Sequence, residues 1–490
     1  MGRYIIGRLI RSAFSVIAVV VIALTLVYTQ IDRSKVFQQD PTWVKLKDED
    51  SKTRYMNGVY QRLGYLDFKE QNDVCRGKDS GCMTVGSKEA KTAFEELKNK
   101  GYTVKTYNSG LYYATKEYSI LDLVKNWFGH LVEVDHPWRI SDEHNPNLER
   151  KIYIENDYNG LPAIKGSGTV HKYLLYFDNK FPFVHQNFIN LNFGVSYPTF
   201  GGVGVKDVLT QTQGSSKQLP VVFETGKKAN SALQLHTCKY KSTDTIDDLD
   251  RGRFFDNYAN CENLHKDPSM IGTSMTMGVI ALIITYLIGI PAGMAMAAHK
   301  DKWQDKLGTV YINVMSAVPS LAFIYFVQFI GMKFGLPDKF PTLGAHNVRS
   351  YIMPVLILGL LSTGGIMMWM RRFMLDQASS DYVKFARAKG LSQREIFRKH
   401  ILRNASIPLV NGIPAAVILT ISGAVITETV FAIPGMGKML PDSIKAYNNP
   451  MVIAITFILT TLSILSLLLG DLLVTVVDPR IQLTSKGESR

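Results

Sequence analysis

The residues of this 490-residue chain that could do chemistry are few and far apart. Four cysteines, Cys75, Cys82, Cys238 and Cys261, all fall in one polar stretch. In an oxidising compartment they can form disulfides. Sequence proximity favours Cys75–Cys82 and Cys238–Cys261, with the two other connectivities open. A zinc site is the rival, yet no Cys-x-x-Cys occurs, and structural zinc sites draw on closely spaced ligand pairs. His171, His185 and His236 are scattered, without a His-Glu-x-x-His pair or a Gly-x-Ser-x-Gly elbow. A phosphate-cradling Gly-x-x-x-x-Gly-Lys-Ser/Thr loop is also missing. Gly435-Met436-Gly437-Lys438 has neither its spacing nor its hydroxyl. The expectation is a chain with no catalytic residues, no metal set and no cofactor of its own.

Two carboxylates gain interest from where they lie. Glu428 and Asp471 sit in strongly apolar surroundings, and ionisable groups inside membrane spans are functional candidates by default. Glu428 stands at the end of its apolar run, just before Pro434 and Gly435, and Asp471 near the opposite side. For both, gating or structural pairing is favoured over direct contact with a ligand. Pro434 and Gly435 join them as gating or pathway candidates.

The elements that would position these residues follow from segregation of apolar residues and charge. Mean hydropathy is near zero, but long apolar runs occupy residues 13–31 and most of 270–477. Residues 31–268 hold 32 basic and 31 acidic side chains, so nearly all of the net +13 lies with the apolar part. That excess flanks apolar runs as the positive-inside rule requires, which argues against nucleic acid as the partner. About 20 apolar residues cross a bilayer core. Six candidate spans result: Leu9–Ile31, Met270–Ala298, Leu307–Phe334, Tyr351–Met370, Ile407–Ile433 and Met451–Val477. The first is read as a retained anchor, because its end has no small-x-small cleavage site. Basic residues gather at Arg3, Arg8 and Arg11, at Lys300–Lys306, through 371–403 and after Arg480, which puts both termini in the cytoplasm and 32–268 outside.

The expected architecture is thus a polytopic α-helical membrane protein with an α+β domain inserted between helices 1 and 2. Its parts are 1–31 (N-terminus and helix 1), 32–268 (extracellular domain), 269–482 (five-helix core) and 483–490 (cytoplasmic tail). In the insert, Lys88–Lys100 has helical periodicity, and Tyr102–Tyr107, Lys151–Ile154 and Lys172–Phe177 read as strands. Leu121–Val134 is amphipathic and suits either a membrane surface or the domain core.

The 371–407 connection carries the clearest local design. Asp381-Tyr382-Val383-Lys384-Phe385-Ala386-Arg387-Ala388-Lys389-Gly390-Leu391-Ser392 reads as a helix ended by a glycine in the C′ position. Ser392 and Glu395 then form a capping-box pattern for a second helix. The order of residues resembles the cytoplasmic "EAA" coupling loop of permease subunits in binding-protein-dependent ABC importers. Arg398-Lys399-His400-Ile401-Leu402-Arg403-Asn404-Ala405 with Pro408, Glu428 to Gly437, Asp478-Pro479-Arg480 and Arg8-x-x-Arg11 are similar to the dipeptide/oligopeptide branch.

That resemblance implies a type I importer permease fold and an oligopeptide cargo. It implies a second homologous permease subunit, two cytoplasmic ATPase subunits that hold ATP and Mg, and an extracellular lipid-anchored peptide-binding protein. Carried onto this chain, it assigns Ala386, Ala388 and Gly390 to seating and turning in an ATPase cleft. Arg387, Lys389 and Arg394 make polar contacts, with Leu391 and Glu395 in the same loop. Two departures stand out. Lys384 and Phe385 replace the Glu and Ala that open the family motif, and the insert far exceeds the usual first loop. Such an insert resembles Ami-type transporters in the cell membrane of Gram-positive bacteria. A proton-driven peptide transporter would need a relay of several buried carboxylates or histidines, and the spans offer few. A membrane-anchored sensor or enzyme would not need the six-span bundle.

Overall fold

The computed structural model describes residues 2–76, 80–134, 147, 151–156, 160–166, 172–177, 184–222, 228–231, 239–240, 258–259, 265–421 and 424–477. Two compact units emerge. One comprises Met1–Val20, Asp267–Asp442 and Ile455–Arg490, the other Val21–Lys266 and Ser443–Ala454.

Among the described residues, five helical stretches are long and apolar enough to cross a membrane: Ile6–Gln30, Met270–Ala298, Arg349–Ala378, Gln393–Val430 and Asn449–Val476. The expected third span, Leu307–Phe334, is corrected to a broken pair. Helices Trp303–Ala317 and Ser320–Lys333 meet at a 108° bend, and six spans result only if this pair counts as one. Pro319 causes the break. Proline has no amide hydrogen and pushes the preceding residue out of the α region, and Val318 sits at φ −74°, ψ 127°.

The chain begins with α1 (Gly2–Gln30). In the unit dominated by Val21–Lys266, aspartate and serine caps start short helices. Asp40 caps α2 (Pro41–Lys45), Asp48 caps α3 (Glu49–Arg62) and, after β1 (Leu66–Glu70) and α4 (Gln71–Cys75), Ser87 caps α5 (Lys88–Asn99). Each cap oxygen accepts a backbone N–H that the first helical turn leaves unpaired. Strands β2 (Thr103–Thr106) and β3 (Tyr112–Glu117) complete an antiparallel sheet of order β1-β3-β2. Cys75 and Cys82 form a disulfide packed on Ala90. Cys238, Cys261, His171 and His236 lie outside the described residues. Next come α6 (Ile120–Leu131), which turns Leu123 and Leu131 inward and leaves Leu121 80% exposed, and β4 (Val132–Val134). Strands β5 (Ile152–Asn156), β6 (Pro162–Gly166), β7 (Lys172–Phe177) and β8 (Val184–Gln186) form a four-stranded antiparallel meander. β9 (Ile189–Leu191) pairs with β4, and α7 spans Val205–Thr210.

The core of this unit is rich in tyrosine. Phe37, Tyr60, Tyr65, Phe68, Tyr107, Tyr113 and Tyr197 pack with Val36, Val59, Leu63 and Leu66. Such rings bury large area and still require partners for their hydroxyls. Asp40 supplies one set: its carboxylate, 5% exposed, accepts from Tyr55 Oη at 2.7 Å, Tyr197 Oη at 2.5 Å and the Thr42 amide at 2.8 Å. Burial opposes ionisation of Asp40, but the Tyr197 and Tyr55 hydroxyls and backbone amides outweigh it and hold the carboxyl below its ordinary value. A depressed folded pKa stabilises above the unfolded value, about 3.9, and that contribution disappears as pH falls through the folded value. Thermal melts of the full chain followed by tyrosine near-UV signal should therefore lose stability below about pH 4. Asp40→Asn should be less stable at pH 7 and show a shallower acid loss. Identical pH profiles for the two proteins would refute this role.

The other unit is a helix bundle. α8 (Met270–Ala298) continues through Pro291 and packs most extensively on α11 (Arg349–Ala378), with α9 (Trp303–Ala317) and α10 (Ser320–Lys333) between them in sequence. Small residues allow the close approach: a Cβ on Gly293 would lie 2.8 Å from the Met367 carbonyl oxygen, and one on Gly289 2.9 Å from Ile366. Polar side chains add cross-links, since Thr285 Oγ1 donates to the Gly359 carbonyl at 3.1 Å and Tyr311 Oη to the Leu360 carbonyl at 2.7 Å. Helix α12 (Asp381–Ala388), the turn α13 (Gln393–Glu395) and a π-helical segment (Ile396–Ile401) lead into α14 (Leu402–Ile421). Then α15 (Val425–Val430), α16 (Met436–Lys445) and α17 (Asn449–Val477) follow. The expected fifth span, Ile407–Ile433, corresponds to the stretch Gln393–Val430, which begins earlier.

Candidate functional site

The hairpin at α12 is built as its residues suggest. Lys389 ends the helix, and Gly390 takes φ +76°, a left-handed conformation that costs glycine nothing. The Gly390 amide then donates to Arg387 O at 2.9 Å and the Leu391 amide to Ala386 O at 3.3 Å. This pair of bonds is the Schellman closure of a helix end. Ser392 Oγ accepts the Glu395 amide at 3.3 Å, which is half of the expected capping box. The other half is not made: the Glu395 carboxylate accepts from Lys399 Nζ at 2.7 Å instead.

The inner face of the hairpin is continuous with the bundle. Val383, Ala386, Ile396 and Ile401 pack with Met370 and Met374 of α11 and Ala405 and Leu409 of α14. Burying an aliphatic side chain contributes about 1.5–3 kcal/mol, so the hairpin is held as firmly as the helices it joins. The proposed seating residues therefore divide. Ala386 is turned into the chain's own core, whereas Ala388 and Gly390 are exposed with Arg387, Lys389 and Arg394. Leu391 is half-buried against the cluster. Phe385, 70% exposed, belongs to the same outward face. Sequence reading passed over it as a departure from a motif, although an aromatic beside Arg387 and Lys389 on an amphipathic helix was the available signal.

A second constellation surrounds Glu428, which is 1% exposed. Ser274 Oγ donates to Glu428 Oε1 at 2.7 Å, and the Lys438 amide donates to Oε2 at 2.9 Å. The Met436 amide in turn donates to Ser274 Oγ at 2.8 Å. Met436 and Lys438 are in the first turn of α16, so the carboxylate and the hydroxyl together satisfy amides the helix cannot pair internally. A negative charge there also meets the positive end of the helix dipole. Gly435 makes room: a Cβ on it would overlap the Glu428 carboxyl group. The Ile433 amide returns to Glu428 O at 2.8 Å, the Gly435 amide closes a tight turn around Pro434 onto Ile433 O at 2.9 Å, and Lys339 Nζ holds Val430 O at 2.6 Å. The segment 428–438 is thus wound about one buried carboxylate.

Ser274 and Glu428 also line a cavity of about 370 Å³ between α8, α11, α14 and α15, whose other walls include Met277, Ala281, Thr285, Leu358 and Thr420. Its lining is apolar with hydroxyls, and Glu428 is its one carboxylate. Asp471 does not join this constellation. It forms an ion pair with Arg8 of α1.

The family of binding-protein-dependent transport system inner membrane components matches residues 289–483. The oligopeptide transport system permease protein AmiC of Streptococcus pneumoniae is 44% identical over 497 residues, covering 99% of this chain and 100% of that protein. The dipeptide transport system permease protein DppB of Lactococcus lactis is 33% identical over 211 residues, 43% of this chain and 69% of its own length. Among solved structures, an inward-facing MetNI methionine ABC transporter aligns at TM-score 0.35 and 17% identity, covering 42% of this chain and 93% of that one.

Proposed function

Because this chain belongs to the family of binding-protein-dependent transport permeases, we propose that it is the membrane-embedded permease subunit of an ATP-driven importer of oligopeptides. The observation that carries this reading is the end-to-end 44% identity to AmiC, which includes the long insert. The match to DppB over 211 residues also supports peptide cargo.

In this reading the chain forms the translocation path with a second homologous permease subunit. Two cytoplasmic ATPase subunits hold ATP and Mg, and hydrolysis belongs to them. The exposed face of α12, with Phe385, Arg387, Ala388 and Lys389, seats in an ATPase cleft, and Gly390 fixes the angle at which it does so. Arg394 contributes a polar contact beyond the turn. Ala386, Leu391 and Ile396 tie that face to α11 and α14, so a push on the hairpin moves helices rather than bending a loop. Glu428, Pro434 and Gly435 act as a latch at one end of the cavity, and the Arg8–Asp471 pair joins α1 to α17. The termini are cytoplasmic, residues 32–268 are extracellular in a Gram-positive cell membrane, and the insert docks a lipid-anchored peptide-binding protein.

Purification of the intact complex with identification of co-purifying subunits, combined with peptide uptake in cells, tests this. Two ATPases, a second permease and a binding protein are expected, and uptake should persist after the proton gradient is dissipated while ATP remains. Uptake that stops with the gradient, or nucleotide hydrolysis by this chain alone, would overturn the reading.

A further inference from the structure

We propose that Asp305 and Arg371 are positioning residues that couple the hairpin's displacement to the broken helix pair α9–α10. This inference rests on the transport reading above and adds a part to its mechanism.

Asp305 lies in the first turn of α9 and is 3% exposed, an unusual place for a carboxylate. Its oxygens are taken in a bidentate grip by Arg371 of α11: Nε to Oδ1 at 2.6 Å and Nη2 to Oδ2 at 2.7 Å. A planar guanidinium fork opposite a carboxylate fixes orientation as well as distance. The Asp301 amide also donates to Oδ2 at 3.0 Å. Asp301, at the elbow between α8 and α9, has φ +64°, a left-handed conformation that aspartate tolerates better than most residues, and its amide is held there by the Asp305 carboxylate. Asp305 therefore closes the elbow and joins it to α11 with one carboxylate.

The position on α11 gives the pair its role. Arg371 lies between Met370 and Met374, which are in the buried cluster that holds Val383 and Ala386 of the hairpin. One helical turn thus faces the hairpin on one side and grips α9 on the other. Gly308 of α9 leaves no room for a Cβ against the Met296 thioether, so α9 also lies close on α8. At its far end α9 stops at Val318 and turns through 108° into α10. A displacement of the hairpin that moves α11 moves the root of this bent pair with it, provided the ion pair holds. Without it, α9 retains only its hydroxyl and van der Waals contacts to α11, and the push dissipates at the elbow.

The experiment uses the complete reconstituted complex in proteoliposomes, with peptide translocated per ATP hydrolysed as the readout. Asp305→Asn, Arg371→Gln and the two together are compared with wild type. The neutral double leaves no unpaired buried charge, which removes the main reason for misfolding. Each variant should lower peptide moved per ATP by about 10-fold, with ATP hydrolysis staying within about 2-fold of wild type, because a lost bidentate pair weakens a mechanical link without touching the nucleotide sites. The exchanged pair, Asp305→Arg with Arg371→Asp, should recover part of the ratio. A wild-type ratio in the neutral double, or parallel loss of hydrolysis and translocation in every variant, would overturn the inference. Failure of wild type itself to move peptide would instead sink the transport reading.

Discussion

Replacing Gly390 with valine is expected to reduce peptide uptake by about 10- to 100-fold while leaving the amount of protein in the membrane close to normal. A β-branched residue at φ +76° costs about 1–3 kcal/mol, and about 1.4 kcal/mol is a factor of ten in an equilibrium. The cost falls on the hairpin alone. A Cβ at Gly390 meets nothing within 4 Å, so no clash propagates into the bundle. The chain would escape by abandoning the bonds from Gly390 to Arg387 and from Leu391 to Ala386, and the exposed face of α12 would then leave its angle. Because the effect comes from backbone conformation rather than bulk, asparagine should be tolerated best, alanine should be intermediate and valine worst. Uptake and co-purification of the ATPases, measured on all three, give the test. Equal uptake by the valine and asparagine variants would remove the hairpin from the coupling mechanism.

The hairpin was legible because its determinants are local. Helix, αL glycine and serine cap lie within a dozen residues, and the Schellman bonds follow from their order. The half-made capping box departs from that pattern for a local reason too: Lys399 lies one turn after Glu395 and competes for its carboxylate. Cys75–Cys82 could be read from a separation of 7 residues. The break at Pro319 was not legible, because a proline inside an apolar run does not by itself specify a bend, and several prolines in α8, α11 and α14 are absorbed without one. Contacts between residues distant in sequence were not legible. Asp305 and Arg371 are 66 residues apart, and Tyr197 reaches Asp40 across 157. Neither Asp305 nor Asp40 is singled out by the sequence. Nothing local distinguishes a carboxylate that will be buried from one that will be solvated, because the burying surface arrives from another part of the chain. Ala386 shows the same limit within the hairpin: its size suited a seating role, but only the packing of Ile396 and Met370 reveals that it faces inward.

Gly435→Ala is expected to be strongly damaging, and the damage should depend on Glu428. The added carbon falls on the Glu428 carboxyl group, where no flexible chain end can yield without giving up its hydrogen bonds to Ser274 and Lys438. A buried carboxylate left short of its donors loses about 1–3 kcal/mol or more. Glu428→Gln should act on the same bonds by another route. Its amide nitrogen would face either the Ser274 hydroxyl or the Lys438 N–H, and in the latter case a donor meets a donor. Both variants should lower uptake by about 10-fold or more and raise ATP hydrolysis in the absence of binding protein, since an unlatched segment 428–438 removes a barrier that the closed state relies on. The decisive measurement is the double variant. If the methyl acts through the carboxylate, Gly435→Ala should cost far less in a Glu428→Ala background than alone, because the side chain it strikes has gone. Two sites in contact give such non-additive energies, whereas independent sites add. Additive losses would show that the glycine and the glutamate do separate things, and the latch built from them would have to be abandoned.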